Sequence, residues 1–181
     1  MNQKFWEEYQ KSALSTAVYN KIIPAGTLNI YYPTAGLVGE IGELIEVIQL
    51  KRSEEIIIGE FGDILWYIAD IYTVLNEPMS SEPFSRWVTA GAVSGTLLDL
   101  CKNSGLLMNQ IKKIARDDKF EINDTKRDFI LDKLKEISYN LWCVAASLNI
   151  SCSMEDIARK NTEKLNERML EGKLHGSDGS R

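Results

Sequence analysis

Residues 35–76 contain two amphipathic helical segments joined by a very short connection, and this limits the fold more than any other feature. Apolar residues recur every three or four positions in each segment: Leu37, Ile41, Leu44 and Ile48 in the first, and Ile57, Phe61, Ile64, Ile68, Ile71 and Leu75 in the second. Lys51 and Arg52 suit the end of one helix, and Ser53 suits the N-cap of the next. Such a short connection forces the helices to be antiparallel. The sequence therefore predicts a helical hairpin over residues 35–51 and 54–76.

Four acidic residues take matched places in this hairpin, as Glu40-x-x-Glu43 in the first helix and Glu60-x-x-Asp63 in the second. Residues three apart lie on one face of a helix, so each pair borders an apolar stripe. Both pairs are about equally far from the connection. We therefore expect all four carboxylates to meet at one level of the hairpin.

Four clustered carboxylates repel one another and need compensation. At ~5 Å and an effective dielectric constant near 20, each pair costs roughly 3 kcal/mol. Mg²⁺ prefers oxygen ligands and is typically held by carboxylates together with substrate phosphates. The pattern predicts a Mg²⁺ site, in which Mn²⁺ could substitute, with Glu40, Glu43, Glu60 and Asp63 as ligands. The alternative is two solvated helix faces that carry ordinary surface acids.

The same residues carry a resemblance to a known family. The segment YPTAGLVGEIGELIEVI (Tyr32–Ile48), followed by EFGDILWYIAD (Glu60–Asp70), resembles the MazG-type all-α nucleoside triphosphate pyrophosphohydrolases, whose signature is E-x-x-E, a spacer and E-x-x-D. YQKSALSTAVY near the N-terminus and the segment that begins at Met154 are similar to the phage and bacterial single-domain branch. The resemblance covers residues 1–76 and about 136–181. It implies an all-α bundle that cleaves between the α- and β-phosphates, releasing a nucleoside monophosphate and pyrophosphate.

The ligand types alone predict metal-assisted hydrolysis of a phosphate compound. The four acids would then be catalytic as well as metal-binding, because one carboxylate, or a hydroxide on the metal, must activate the attacking water. We expect Glu43 to lie nearest that water. The resemblance further implies that Asn161 and Lys164 contact phosphate or the metal's surroundings, and Arg168 shares their helix face. A solvated amphipathic helix is the alternative for these three residues.

Aromatic residues that could stack on a nucleobase are harder to choose, because helix-spaced aromatics are also typical of a core. The candidates are Tyr31, Tyr32, Trp66, Tyr67 and Trp142. Tyr67 is favoured because it follows Asp63 along the acidic stripe. Asp70 lies on the same stripe and is expected to touch the sugar or a second metal. The single histidine, His175, is in the C-terminal tail and is not expected to act as a base.

The rest of the chain is also predicted to be helical. Helices are predicted over residues 5–19, 84–115, 125–149 and 154–170, with a break over 77–83 that contains two prolines. Thr125-x-x-Asp128 and Ser153-x-x-Asp156 both suit helix N-terminal capping. No segment has the alternating pattern of a strand.

A weak internal repeat links the hairpin to the middle of the chain. Residues 34–38 (TAGLV) recur as 89–93 (TAGAV), and 65–69 (LWYIA) recur as 141–145 (LWCVA), in the same order. This favours a duplicated hairpin over an unrelated insertion. The second copy would be degenerate, because only Glu136 keeps an acid, whereas Gly95, Leu98 and Tyr139 replace the others. We predict one all-α domain over 1–181, comprising an active half (1–76), the repeat (77–149) and a C-terminal helix with its tail (150–181).

Composition narrows the class of protein. A net charge of −5 argues against general nucleic-acid binding. The three cysteines show no C-x-x-C spacing, and neither a signal peptide nor a membrane span is evident, so we expect a cytoplasmic protein. A nucleoside triphosphate is the expected partner, in a homo-oligomer, with a dimer favoured and a monomeric pseudo-dimer as the alternative. The main rival function is a non-catalytic bundle that binds nucleotide or serves in assembly. A di-iron bundle is disfavoured because the helices lack histidine.

Overall fold

A computed structural model describes residues 2–21, 30–86 and 92–174. In these ranges the chain forms six α-helices and two short 3₁₀ helices, with no strand, which confirms the predicted all-α class. The α-helices are α1 (Gln3–Ser15), α2 (Tyr31–Gln49), α3 (Glu54–Val74), α4 (Val93–Asp117), α5 (Asp124–Ser147) and α6 (Met154–Leu170). The 3₁₀ helices are Val18–Lys21 and Glu82–Ser85. Among the described residues, no helix is both long enough and apolar enough to cross a bilayer.

Helices α2 and α3 form the predicted hairpin, and the end of α2 explains the reversal of the chain. Lys51 adopts a left-handed conformation with φ of 52°. The Arg52 amide donates to the Val47 carbonyl at 3.0 Å, and the Lys51 amide donates to the Ile48 carbonyl at 3.1 Å. These bonds satisfy carbonyls that the end of a helix leaves open. Ser53 takes the predicted N-cap position of α3, although its side chain makes no capping hydrogen bond.

Several predicted helix bounds differ from the observed ones. Helix α2 begins at Tyr31 instead of residue 35, because Pro33 lies in the first turn, where a missing N–H costs no helical hydrogen bond. The capping box at Thr125 is wrong, since Asn123 is the N-cap of α5 and accepts from the Lys126 amide at 3.0 Å. The box at Ser153 is confirmed, with both reciprocal bonds to Asp156.

A second hairpin, α4–α5, follows the predicted break. The predicted helix over 84–115 is interrupted: Glu82–Ser85 is a 3₁₀ helix, and the structure next describes the chain from residue 92. Residues 89–91 of the proposed repeat lie outside the described ranges. The second matching segment, 141–145, lies in α5 just as 65–69 lies in α3.

The two hairpins pack on each other, and α1 and α6 both pack on α3. Contacts join α2 to α4 and α3 to α5, in addition to those within each hairpin. One apolar core runs through all six helices and includes Trp6, Leu37, Phe61, Leu107, Leu141 and Ile157. Helix α3 is therefore the central element, and the acidic residues on it lie near α2 on one side and α6 on the other.

Candidate metal centre

Three of the four predicted ligands come together between α2 and α3. Glu40, Glu60 and Asp63 each offer one carboxylate oxygen, and these oxygens lie within 4.8 Å of one another. Glu60 and Asp63 share a face because they are three apart on α3, and the antiparallel hairpin brings Glu40 opposite them. All three side chains are partly exposed, so the group is accessible from solvent. Such an arrangement of hard oxygen donors suits a divalent cation.

Glu43 is not part of this close group. It is partly exposed and lies three residues farther along α2, about 4.5 Å nearer the connection. The structure therefore separates the predicted ligands into a group of three and one neighbour. A role for Glu43 as a fourth ligand, or as the residue nearest the water, stays a prediction.

Helix α6 holds Asp63 through two side chains. The Lys164 ammonium donates to both Asp63 carboxylate oxygens at 2.6 Å, and the Asn161 amide donates to Oδ1 at 2.9 Å. Asn161 is almost fully buried, and its own Oδ1 accepts from the Tyr9 hydroxyl at 3.1 Å. Sequence reasoning expected Asn161 and Lys164 near phosphate or the metal's surroundings. The structure brings both residues directly onto a predicted metal ligand.

The contact of α6 with Asp63 depends on Gly62 and Tyr9, which were not among the predicted site residues. A Cβ at Gly62 would lie 2.8 Å from the Cβ of Asn161, so only glycine lets α6 approach α3 this closely. Tyr9 reaches the site from α1, and burial together with the negative charge of Asp63 raises its pKa, so it remains a hydrogen-bond donor. Its only sequence signal was a place on the apolar face of α1, with Trp6 and Ala13.

Arg168 lies one turn beyond Lys164 on α6 and is exposed. It does not belong to the group formed by Asp63, Asn161 and Lys164. His175 and the rest of the tail to residue 181 lie outside the described residues.

Tyr67 is half-buried, and its ring packs on α2 close to the acidic group. Its ring lies against Gly36, where an added Cβ would overlap the ring, and it meets Trp66 edge-on at 4.9 Å. Burial, followed by the neighbouring Tyr32 and the charge of Glu40, raises the pKa of Tyr67. Tyr67 therefore stays a neutral aromatic surface beside the carboxylates.

Asp70 is fully buried, which the sequence analysis did not anticipate. Its Oδ2 accepts a hydrogen bond from the Tyr19 hydroxyl, while its Oδ1 has no partner among the described residues. Burial raises the pKa of Asp70 to about 6, although the bond from Tyr19 opposes this shift. The carboxyl group is therefore covered by protein, and its expected contact with the sugar or a second metal stays a prediction.

The other aromatic candidates divide between core and surface. Trp66 and Trp142 are partly buried and pack against the core, and the Trp66 indole donates to the Thr16 hydroxyl at 2.9 Å. Tyr31 and Tyr32 in the first turn of α2 are 44% and 45% exposed. These two tyrosines are thus the most exposed of the five candidates.

Comparison with known proteins adds no further assignment: no family model matches the chain, and neither curated proteins nor solved structures give a significant match. The resemblance to MazG-type enzymes therefore depends on the motifs quoted above.

Proposed function

We propose that this protein is a Mg²⁺-dependent hydrolase that cleaves nucleoside triphosphates to nucleoside monophosphates and pyrophosphate. One observation carries the proposal: Glu40, Glu60 and Asp63 place three carboxylate oxygens within 4.8 Å, at a partly exposed position. The cleavage position comes from the family resemblance, whereas metal-dependent phosphate chemistry is supported by the residues themselves.

The donor set fits Mg²⁺ well. Mg²⁺ usually keeps several waters and is held by a few carboxylates plus substrate phosphates, so a group of three carboxylates at the protein surface suits it. Asp63 also pairs with the Lys164 ammonium at 2.6 Å, so a cation held here would share this carboxylate with a lysine. Mn²⁺ could replace Mg²⁺ in experiments.

Each residue then has a distinct role. Glu40, Glu60 and Asp63 would hold the metal, which when bound would neutralise the triphosphate and polarise the phosphoryl oxygens. Asn161 would keep Asp63 oriented, since it is buried and fixed in turn by Tyr9. Glu43, next to the ligands but outside the close group, would accept a proton from the attacking water.

Lys164 would change partners when substrate binds. It is 30% exposed and lies beside the metal ligands, within reach of a phosphate chain held there. Lysine is a common point-charge contact for phosphate. We assign Lys164 to Asp63 in the free protein and to the outer phosphates in the complex, with Arg168, one turn farther on, as a second cation for them.

A second candidate function is supported by the same lysine. Lys164 already pairs with both oxygens of Asp63, as a purely structural ion pair would. This favours a non-catalytic bundle that binds nucleotide or serves in assembly. The two functions differ in turnover, which is measured directly.

The test is to incubate the protein with each common NTP and dNTP plus Mg²⁺ and to resolve the products by chromatography. Glu60→Gln and Glu43→Gln are the test variants, and Glu46→Gln, which changes an exposed residue of α2, is the matched control. We expect monophosphate and pyrophosphate from the wild type and the control only. Diphosphate with phosphate would overturn the cleavage position, and metal-dependent binding without turnover would favour the non-catalytic function.

The two test variants should also differ from each other. Loss of a group from the close cluster weakens metal binding, whereas loss of a base outside it mainly lowers kcat. We expect Glu60→Gln to reduce Mn²⁺ affinity more than Glu43→Gln, as measured by calorimetry without nucleotide. Equal affinities would return Glu43 to the predicted set of ligands.

A further inference from the structure

Three tyrosines lie beyond the carboxylates, on the side away from the connection between α2 and α3. Tyr19 stacks on Tyr32, with ring centroids 4.3 Å apart and an interplanar angle of 21°. Tyr19 is buried, but Tyr32 is 45% exposed, so one side of the Tyr32 ring is covered by protein and the remainder is open. This aromatic corner, consisting of Tyr19, Tyr32 and Tyr67, has no part in the metal chemistry described above.

The Tyr32 ring is supported on one side by Tyr19. The Tyr19 hydroxyl donates to Asp70, a buried carboxyl group on α3, and this bond fixes the ring on which Tyr32 rests. An exposed aromatic side chain that is supported by a stacked and hydrogen-bonded partner loses little conformational entropy when a ligand covers it. The corner is therefore preorganised as a flat apolar surface.

One member of the corner, Tyr32, and one of the carboxylates, Glu40, lie on the same face of α2. Tyr32, Gly36 and Glu40 are spaced four apart and therefore follow one another along the helix. Tyr32 and Glu40 are eight residues apart, which corresponds to about 12 Å along the axis. Between them the Tyr67 ring lies against Gly36, where any side chain on α2 would overlap the ring.

The separation of Tyr32 and Glu40 along α2 matches the distance between the base and the outer phosphates of an extended nucleotide. We infer that Tyr32 is the stacking surface for the nucleobase of the substrate, while Glu40, Glu60 and Asp63 serve its phosphates. The inference depends on the proposed function and makes it more specific. It identifies the residue that recognises the base, and it distinguishes a nucleotide from inorganic polyphosphate, whose chain has no group to cover Tyr32. Since every base has a π-face, stacking here discriminates little among bases.

The experiment compares two neighbouring tyrosines with two ligands. Tyr32→Ala is the test, and Tyr31→Ala is the control, because Tyr31 has the same chemistry and 44% exposure but lies on a different face of α2. Calorimetry with Mg²⁺ measures the Kd of a non-hydrolysable α,β-methylene nucleoside triphosphate and of inorganic tripolyphosphate. Far-UV circular dichroism checks that each variant is folded.

We expect Tyr32→Ala to weaken nucleotide binding about tenfold or more, as loss of one stacked base does elsewhere. Its affinity for tripolyphosphate should be unchanged, and Tyr31→Ala should bind both ligands normally. Tyr32→Phe should also bind the nucleotide normally, because it keeps the ring.

Equal effects of the two alanine substitutions on nucleotide binding would overturn the inference. So would a loss of tripolyphosphate binding in Tyr32→Ala that matched the loss of nucleotide binding. If the wild type turns over nucleotides while Tyr32→Ala binds them normally, only the inference fails. If the wild type neither binds nor hydrolyses any nucleotide, the inference and the proposed function fail together.

Discussion

Asp63 is the residue at which the two parts of the site meet. On one side it lies with Glu40 and Glu60 as a potential metal ligand, and on the other it accepts hydrogen bonds from Asn161 and Lys164. A carboxylate has enough acceptor positions for several partners, but a lysine ammonium and a metal ion bring like charges to the same oxygens. Lys164 and the metal should therefore compete for Asp63.

Removing the ammonium group tests this competition. We expect Lys164→Met to bind Mn²⁺ a few-fold more tightly than the wild type in the absence of nucleotide, because partly exposed ion pairs are typically worth only about 0.2–1 kcal/mol. The same variant should lose most of its turnover, because the phosphates lose a cationic contact. Electron paramagnetic resonance of free Mn²⁺ gives the affinity. Lys160→Met, a change of an exposed lysine on α6, is the control, and weaker Mn²⁺ binding by Lys164→Met would contradict the competition.

Asp70 makes the stability of the protein depend on pH in an unusual direction. Burial raises the pKa of Asp70 to about 6, above the value near 4 of an unfolded aspartate, so the folded state binds more protons between these pH values. Stability contributed by this group is therefore present below pH 4 and is lost as the pH rises to 6 or 7. The loss amounts to roughly 3 kcal/mol at most.

The comparison with Asp70→Asn isolates this effect. We expect the free energy of unfolding of the wild type, relative to that of the variant, to fall between pH 4 and pH 7. Urea denaturation of both proteins at four pH values in this range measures the difference. The tyrosines beside Asp70 do not ionise in this range, and the pKa of Tyr19 is raised further by burial and by its bond to Asp70. Parallel pH curves would mean that the carboxyl group is not buried as described.

At the scale of elements, the contact between α3 and α6 positions the site, and Gly62 controls their separation. An alanine there would place its Cβ 2.8 Å from the Cβ of Asn161, which is attached to the backbone and cannot rotate away. We expect Gly62→Ala to destabilise the protein by about 1–3 kcal/mol, because the helices must move apart. Metal affinity should fall as well, since Asp63 loses its support from α6.

Gly59→Ala provides a matched control on the same helix. Among the described residues, no atom other than those of its chain neighbours and its own helix backbone lies within 4 Å of a Cβ built at Gly59, so the substitution removes only the poor helix propensity of glycine. We expect it to stabilise the protein by up to about 1 kcal/mol. Thermal unfolding of the two variants gives the sign of each effect. Similar changes in both would show that the close approach of α6 at Gly62 is not needed.

The sequence predicted those elements whose signals are local. Apolar spacing and the connection at Lys51–Ser53 were enough for the hairpin, since helix periodicity and chain reversal are properties of neighbouring residues. The support of Asp63 by Tyr9 and Asn161 was not predicted, because it depends on how α1 and α6 dock on α3. The burial of Asp70 was not predicted for a similar reason, because a position on the acidic stripe does not reveal that Tyr19 will donate to its carboxyl group.

For the whole molecule, the packing of the two hairpins bears on oligomeric state. Contacts join α2 to α4 and α3 to α5, so each helix meets the one proposed as its copy. If α4–α5 is the proposed degenerate copy, it takes the place that a second subunit would otherwise fill. We therefore expect light scattering to give a mass near 20.5 kDa, which is that of one chain. Twice that mass would support the homodimer that the family resemblance implies.

Because the two hairpins share one core, the carboxylate group on α2 and α3 should also depend on the α4–α5 hairpin, which carries none of its members. Leu107 on α4 is fully buried in the core that includes Leu37 and Phe61, whereas its neighbour Leu106 is 43% exposed. We expect Leu107→Ala to cost about 2–5 kcal/mol through the cavity it leaves, and Leu106→Ala to change stability by less than about 0.5 kcal/mol.

Because both hairpins contribute to one core, Leu107→Ala should destabilise both hairpins to the same extent. Helix content and Mn²⁺ binding should disappear together on heating, in a single transition shifted to lower temperature. A variant that lost part of its helix content while keeping the metal site would mean that the first hairpin folds without the second. In that case the second hairpin would be an appended element, and its role would have to be sought away from the carboxylates.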